Sequence, residues 1–270
     1  MERPSIAIIP SAYKTGVLAA VLPNNGIADL DFTRGSIATR VNAQGLIEEV
    51  GVNIPRLDYS DGSCPSLLLE PQSTNLITYS ENFSDESWLK TQSTLTPNTI
   101  VSPDGTLNAS TLTATNSFAQ LTFNHTGTTS TVYTVSFWLK RKTGTGAIAI
   151  KAVENINTTV SVTNEWQRFS VTATSTSTNI ISAVRLLTIG DEVYIWGAQL
   201  EQQSSATSYI PNYGTTEGIT RLADTASLDL TPFNITTIIE TIDGVEQPPI
   251  TTIPAIYNAP IGRINKILMY

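Results

Sequence analysis

The chain is poor in the residues on which enzymes and helical domains draw. Charged side chains make up 14 % of its 270 residues, against roughly a quarter in an ordinary globular domain. Long solvent-facing helices coat their outer surface with Lys and Glu, so a chain this short of charge should contain little helix. There is one cysteine, Cys64, and one histidine, His125. A single cysteine excludes an intrachain disulfide framework and any multi-cysteine metal site. Set in Gly62-Ser63-Cys64-Pro65 with no imidazole to activate it, Cys64 reads as a small buried residue beside a turn. A Ser/His/Asp relay would have only His125 as its base, and Asn124-His125-Thr126-Gly127 reads as a solvated turn. No run of about 18 apolar residues occurs, so no membrane insertion is expected. Ile6-Ala7-Ile8-Ile9, closed by Pro10, is too short for the core of a signal peptide.

Positive charge is also scarce. The formal net charge is −8 and the pI about 4.7, whereas a nucleic-acid partner needs a basic patch that releases counterions. The only basic run, Lys140-Arg141-Lys142, reads as the end of a strand. Phosphate loops and dinucleotide fingerprints are missing; Gly144-Thr145-Gly146 lies between two predicted strands with no helix after it. No cofactor is expected.

What the chain does contain is threonine, 40 residues of it, a β-branched side chain suited to a pleated, half-solvated surface. From residue 73 to 214, short runs alternate with a period of two. In the run from Tyr133 to Lys140, Tyr133, Val135, Phe137 and Leu139 share one face, with Thr134, Ser136, Trp138 and Lys140 on the other. From Trp166 to Thr172, Phe169 and Val171 oppose Arg168, Ser170 and Thr172. The run from Val193 to Leu200 opens apolar on both faces, as a central strand covered on each side does. Weaker strands are predicted near 107–115, 118–123, 146–153, 158–162 and 180–188. This is the signature of a β-sandwich or jelly roll.

The flanking segments read differently. Residues 1–72 are short apolar pieces cut by turn formers such as Pro23-Asn24-Asn25-Gly26 and Asp61-Gly62, too broken to close a core alone. They are expected to form an extended arm for docking or inter-subunit contacts. Residues 215–270 carry apolar runs at Ile235 to Ile242 and Ile264 to Tyr270, separated by Pro248, Pro249, Pro254 and Pro260. The prolines argue against one compact hairpin, so this segment is expected to be an association tail that pairs with another chain.

Several blocks carry a resemblance. Phe32 to Asn42, Gly45 to Glu48, Pro55 to Tyr59, Cys64 to Gln72, Thr74 to Phe83, Tyr194 to Glu201, Ala206 to Pro211 and Gly262 to Lys266 resemble a module common in head spike and fibre proteins of bacteriophage and prophage virions. The resemblance implies a place on the virion surface in head, neck or tail. It also implies capsid, portal or tail proteins as partners, and association with other copies as a homotrimer. The middle domain is also similar to carbohydrate-binding-module jelly rolls, here opening with Asn75-Leu76, Glu81-Asn82-Phe83 and Trp88. That group often holds a structural calcium between an early acid and one in the final strand. Glu81 and Glu201 are the weak candidates here, because Trp196-Gly197-Ala198 stands where the late acid would fall.

Sugar binding in such domains uses exposed aromatics with polar neighbours, and Trp138 with Ser136 and Lys140 is the candidate platform for host-surface glycans. The competing reading has Trp138 covered by the arm or a neighbouring subunit, and Trp88, Trp166 and Trp196 are read as structural. A glycosidase needs two convergent carboxylates, and spacing brings no pair together among Glu81, Asp85, Glu86, Glu154, Glu165, Asp191, Glu192 and Glu201. A non-enzymatic structural protein of the virion, acting in assembly and host attachment, therefore ranks first, a glycan-binding adhesion protein second and a polysaccharide depolymerase last.

Overall fold

A computed structural model describes residues 3–154, 156–215 and 217–270. It contains no helix among the described residues and divides into two compact units, one comprising Ser73–Thr220 and the other the chain up to Gln72 together with Arg221–Tyr270.

The Ser73–Thr220 unit is a jelly-roll-like sandwich of two five-stranded antiparallel sheets. The first runs in the order Trp88–Thr91, Ala119–Thr126, Asn179–Leu186, Ile148–Val153, Ile156–Val160. The second runs Ser93–Ile100, Ala109–Ala114, Glu192–Glu201, Val132–Thr143, Gln167–Thr174. Alternation decides which side chains meet between them. Tyr133, Val135, Phe137 and Leu139 turn inward against Leu121, Ile150, Val184 and Leu186 of the first sheet. Trp88 closes one part of this core, its ring 5.0 Å from Phe83, 5.4 Å from Phe123 and 6.3 Å from Phe137. Full burial of such a side chain contributes about 1.5–3 kcal/mol. Glu192–Glu201 is the central strand of its sheet, with Val193 and Ile195 in the core, Trp196 buried on the opposite face and Tyr194 half-buried beside it.

Two strands were not legible in the sequence, Trp88–Thr91 and Ser93–Ile100. The first is only four residues long. The second contains Pro97 and a register shift between Thr96 and Ile100 that blurs its alternation. Between them Gln92, at φ 52°, hands the chain from the first sheet to the second. Two residues sit differently from expectation. His125 lies in a strand opposite Ile180 and is half-buried, because Asn124-His125-Thr126 continues the pairing rather than turning. Cys64 is exposed.

The second unit corrects the reading of the termini. The first 72 residues are not an extended arm, and the last 50 or so do not need a foreign strand. Each supplies what the other lacks. Gly262–Met269 pairs along one edge with Ile238–Ile242, and along the other with Ser66–Leu69 and Ile6–Ile8. In another sheet Leu30–Thr33 pairs with Thr225–Asp229, with Thr33 opposite Thr225. The resulting core joins Ile6, Ile8, Leu18, Phe32, Leu67 and Leu69 to Leu228, Ile238, Tyr257, Ile264, Ile267 and Met269. The prolines do not keep the two tail strands apart either. They fall in the connection between them, which first turns back at Asp243-Gly244, both residues in the left-handed region at φ 51° and 78°, as a two-residue hairpin loop requires.

This unit also buries charge. Arg34, Arg56 and Arg221 are fully buried around Asp224 and Glu70. Arg34 Nη1 lies 3.1 Å from Asp224 Oδ1, Arg56 bonds both Asp224 and Glu70, and Arg221 Nη2 lies 3.5 Å from Glu70 Oε2. Backbone carbonyls take further guanidinium protons: Ser36 and Gly51 from Arg34, Thr39 from Arg56, Pro71 from Arg221. Burial pulls the Arg34 pKa down from the ordinary arginine value, and Asp224 opposes the shift. Buried ions survive only when paired and hydrogen-bonded in this way. Three of these residues, Arg34, Arg56 and Glu70, belong to blocks that carry the virion-module resemblance, and their place in the fold is structural.

Candidate functional site

The side chains that alternation turns out of the core lie on the outer face of the second sheet. Register places Trp138 opposite Arg168 on one side and Trp196 on the other, and Lys140 opposite Tyr194. Trp138, Lys140, Trp166 and Tyr194 are half-buried, and Lys142 is exposed. The Trp166 and Tyr194 rings are 6.4 Å apart, and Lys142 Nζ lies 5.9 Å from the Tyr194 ring centre. Lys142 also reaches Glu192 at 3.2 Å. A hydrogen bond from the Thr113 hydroxyl, and then Lys142, hold the Glu192 carboxyl below the ordinary carboxylate pKa. The basic run Lys140 to Lys142 thus lies inside a strand, with Arg141 3.4 Å from Asp191.

Trp138 owes its position to Gly197, which takes φ 63°. A Cβ there would come within 2.9 Å of Trp138 Cδ1, so any other residue would push against the indole. Trp138 Nε1 is buried and finds no partner among the described residues. Trp196 is roofed by Tyr209, with ring centres 4.7 Å apart.

Of the predicted platform, Trp138 and Lys140 share this partly open face, whereas Ser136 is removed from it. Ser136 is fully buried, its Oγ accepting from Arg168 Nη2 at 2.9 Å while Arg168 Nη1 donates to the Thr207 carbonyl at 2.6 Å. The segment around Thr207 therefore covers the serine. Tyr194 joins Trp138 and Lys140 on this face. Its strand reads apolar on both faces, and only the register against Lys140, beside Trp166, shows that its ring belongs to the open side. Trp88 is in the core as expected.

The two calcium candidates keep separate partners. Glu81 accepts from Tyr209 Oη at 2.9 Å and from Asn108 Nδ2 at 2.9 Å. Glu201 is fully buried and accepts from Ser73 Oγ at 2.6 Å and from the Thr207 N–H and hydroxyl. Protons occupy lone pairs that a cation would need. No group of three acidic, His or Cys side chains gathers among the described residues.

The protein class defined by this architecture is an all-β, jelly-roll-like sandwich with a second β unit. No protein-family model matches the chain. No curated protein matches it either. Among solved structures it is similar to a CBM4, with 19 % identity over 43 % of this chain and 86 % of that chain at a TM-score of 0.35. It is also similar to the CBM22-1 xylan-binding domain of Paenibacillus barcinonensis Xyn10C, with 10 % identity over 49 % of this chain and 94 % of that chain at a TM-score of 0.37. A third is the enzymatically active domain of bacteriophage CBA120 tailspike protein 4, with 14 % identity over 47 % of this chain and 21 % of that chain at a TM-score of 0.36. The sandwich assignment rests on the two facing sheets themselves.

Proposed function

We propose that the protein is a non-enzymatic component of a bacteriophage particle surface that attaches to host glycans through the outer face of its sandwich. The observation that carries the glycan reading is the cluster of half-exposed aromatics, Trp138, Trp166 and Tyr194, set with Lys140 and Lys142 on one side of a single sheet. Flat aromatic rings offer stacking area to the apolar faces of sugar rings, and the lysine ammonium groups donate to hydroxyls. The virion reading is supported by the sequence blocks from Phe32 onward, and localisation at the particle surface goes with it. Association as a homotrimer, and with capsid, portal or tail proteins, is supported by that resemblance alone, since the terminal strands find their partners within the chain.

The test is a glycan array probed with the full chain and with Trp138→Ala and Tyr194→Ala variants. Binding that falls about tenfold or more in both variants, with thermal unfolding unchanged, supports the reading. Binding unaffected by either, or release of reducing ends from a bound polysaccharide, defeats it. Labelling of the chain in intact particles and its mass in solution test location and copy number, and a monomer at high concentration sinks the trimer.

A further inference from the structure

We propose that the sandwich unit holds a second ligand site, a pocket that takes one neutral, polyhydroxylated ring of hexopyranose size. It lies apart from the aromatic face and uses none of its residues. Its cavity is about 310 Å³, at the lower end of small-molecule sites, and its lining includes Tyr79, Glu81, Asn98, Asn108, Asn212 and Tyr213.

The walls are built by local breaks in regular structure. The register shift between Thr96 and Ile100 frees Pro97 and Asn98 from the ladder, with Asn98 at φ 54°, and they form one wall. Tyr79 and Tyr213 form an isolated bridge across from them. The backbone of Gly214, at φ 115°, comes so close to the Tyr79 ring that a Cβ would lie 2.6 Å from it, which fixes that ring in place. Tyr213 is 67 % exposed at the rim.

The chemistry of the ligand follows from two side-chain amides, Asn212 fully buried and Asn108 half-buried. Asn212 is fully buried, and its Oδ1 accepts from the Gly214 N–H at 3.2 Å, the Thr215 N–H at 3.1 Å and the Thr215 hydroxyl at 3.0 Å. Those donors fix which end of the amide is oxygen, so Nδ2 is the end left over, and it has no partner among the described residues. In Asn108 the order is reversed. Its Nδ2 donates to Glu81 Oε2 at 2.9 Å and Asp104 Oδ2 at 3.2 Å, leaving Oδ1 buried without a partner among the described residues. An unmet buried donor or acceptor costs about 1–3 kcal/mol, which a hydroxyl within reach would relieve. Both residues line the pocket, so its wall carries one amide with a spare donor and one with a spare acceptor. A hydroxyl can serve either, and a ring bearing several serves both. Glu81 brings negative charge to the lining, and no Lys, Arg or His is part of it among the described residues, which disfavours anionic sugars.

The experiment is an NMR titration of the full chain, following the Asn212 side-chain amide and the Tyr213 ring. The probes are methyl glycosides of glucose, galactose, mannose and N-acetylglucosamine, with glucuronate as the anionic counterpart. At least one neutral glycoside is expected to shift both signals saturably. The response should weaken about tenfold in Tyr213→Ala and Asn98→Gly, two exposed positions, the second keeping its backbone angle. It should persist in Trp138→Ala, which separates this pocket from the aromatic face. The proposal is overturned if no neutral glycoside shifts the Asn212 amide, leaving a pocket that holds water only. It is also overturned if glucuronate binds as tightly as the neutral probes, or if the response follows Trp138 and ignores Tyr213.

Discussion

In the sandwich unit the core is apolar and the strands that enclose it come from one unbroken stretch, several of them eight residues or longer. The terminal unit is built from strands mostly of two to five residues, drawn from both ends of the chain, and all three of the fully buried arginines lie in it. Long alternating strands define their partners by pattern, because a slip of one residue would turn every apolar side chain outward. Short strands carry too little pattern for that. In the terminal unit a network of directional ion pairs supplements the apolar core, tying Arg34, Arg56 and Glu70 of the first segment to Arg221 and Asp224 of the last. Specificity from buried charge is thus added where specificity from periodicity is weakest.

The strongest way to break this contrast is to remove one half of the terminal unit. Deleting residues 221–270 should unfold the segment before Gln72 while leaving the sandwich intact, seen as loss of protection of that segment in hydrogen exchange or limited proteolysis. Survival of an ordered first segment would show that it has a core of its own. Next in size, Asp224→Ala removes the carboxylate that Arg34 and Arg56 share, leaving Arg56 to Glu70 and Arg34 to backbone carbonyls, and should destabilise the terminal unit by about 3–5 kcal/mol. Leu121→Ala should cost the sandwich about 2–5 kcal/mol through a cavity. The informative quantity is which unit responds: in denaturant melts followed region by region, each substitution should shift its own unit's midpoint.

The smallest expected effect concerns acid. Burial lowers the His125 pKa in the folded chain below the ordinary value of about 6.5. The unfolded chain therefore binds a proton more readily. Stability present above the unfolded pKa declines as pH falls through it, until the folded pKa is reached. His125→Gln should flatten the pH dependence of sandwich stability just below 6.5 and leave that of the terminal unit unchanged. An unaltered slope would show that the half-buried ring titrates freely.

The same contrast explains what could be read from sequence. All eight predicted sandwich strands are present, and Tyr133, Val135, Phe137 and Leu139 face the core, because alternation over eight residues is a local property. The pairing of Gly262–Met269 with Ser66–Leu69 is not local, and nothing in either segment names the other. The site was legible in part for the same reason. Trp138 follows from the period-two pattern, whereas Tyr194 beside Trp166, the covering of Ser136 by Arg168, and the meeting of Asn108 with Asn212 depend on register and loop return.

The sandwich leaves and rejoins the rest of the chain at neighbouring points. Ser73–Asn75 pairs with Ile219–Arg221, and the hydroxyls of Thr74 and Thr220 are 2.8 Å apart. To the terminal unit, everything between them is equivalent to a tight hairpin, since the folded insert brings its own ends together and largely removes the entropic penalty of closing so long a loop. A different domain whose ends met in the same way is therefore exchangeable at these two threonines, with the pairing of the terminal strands left as it is.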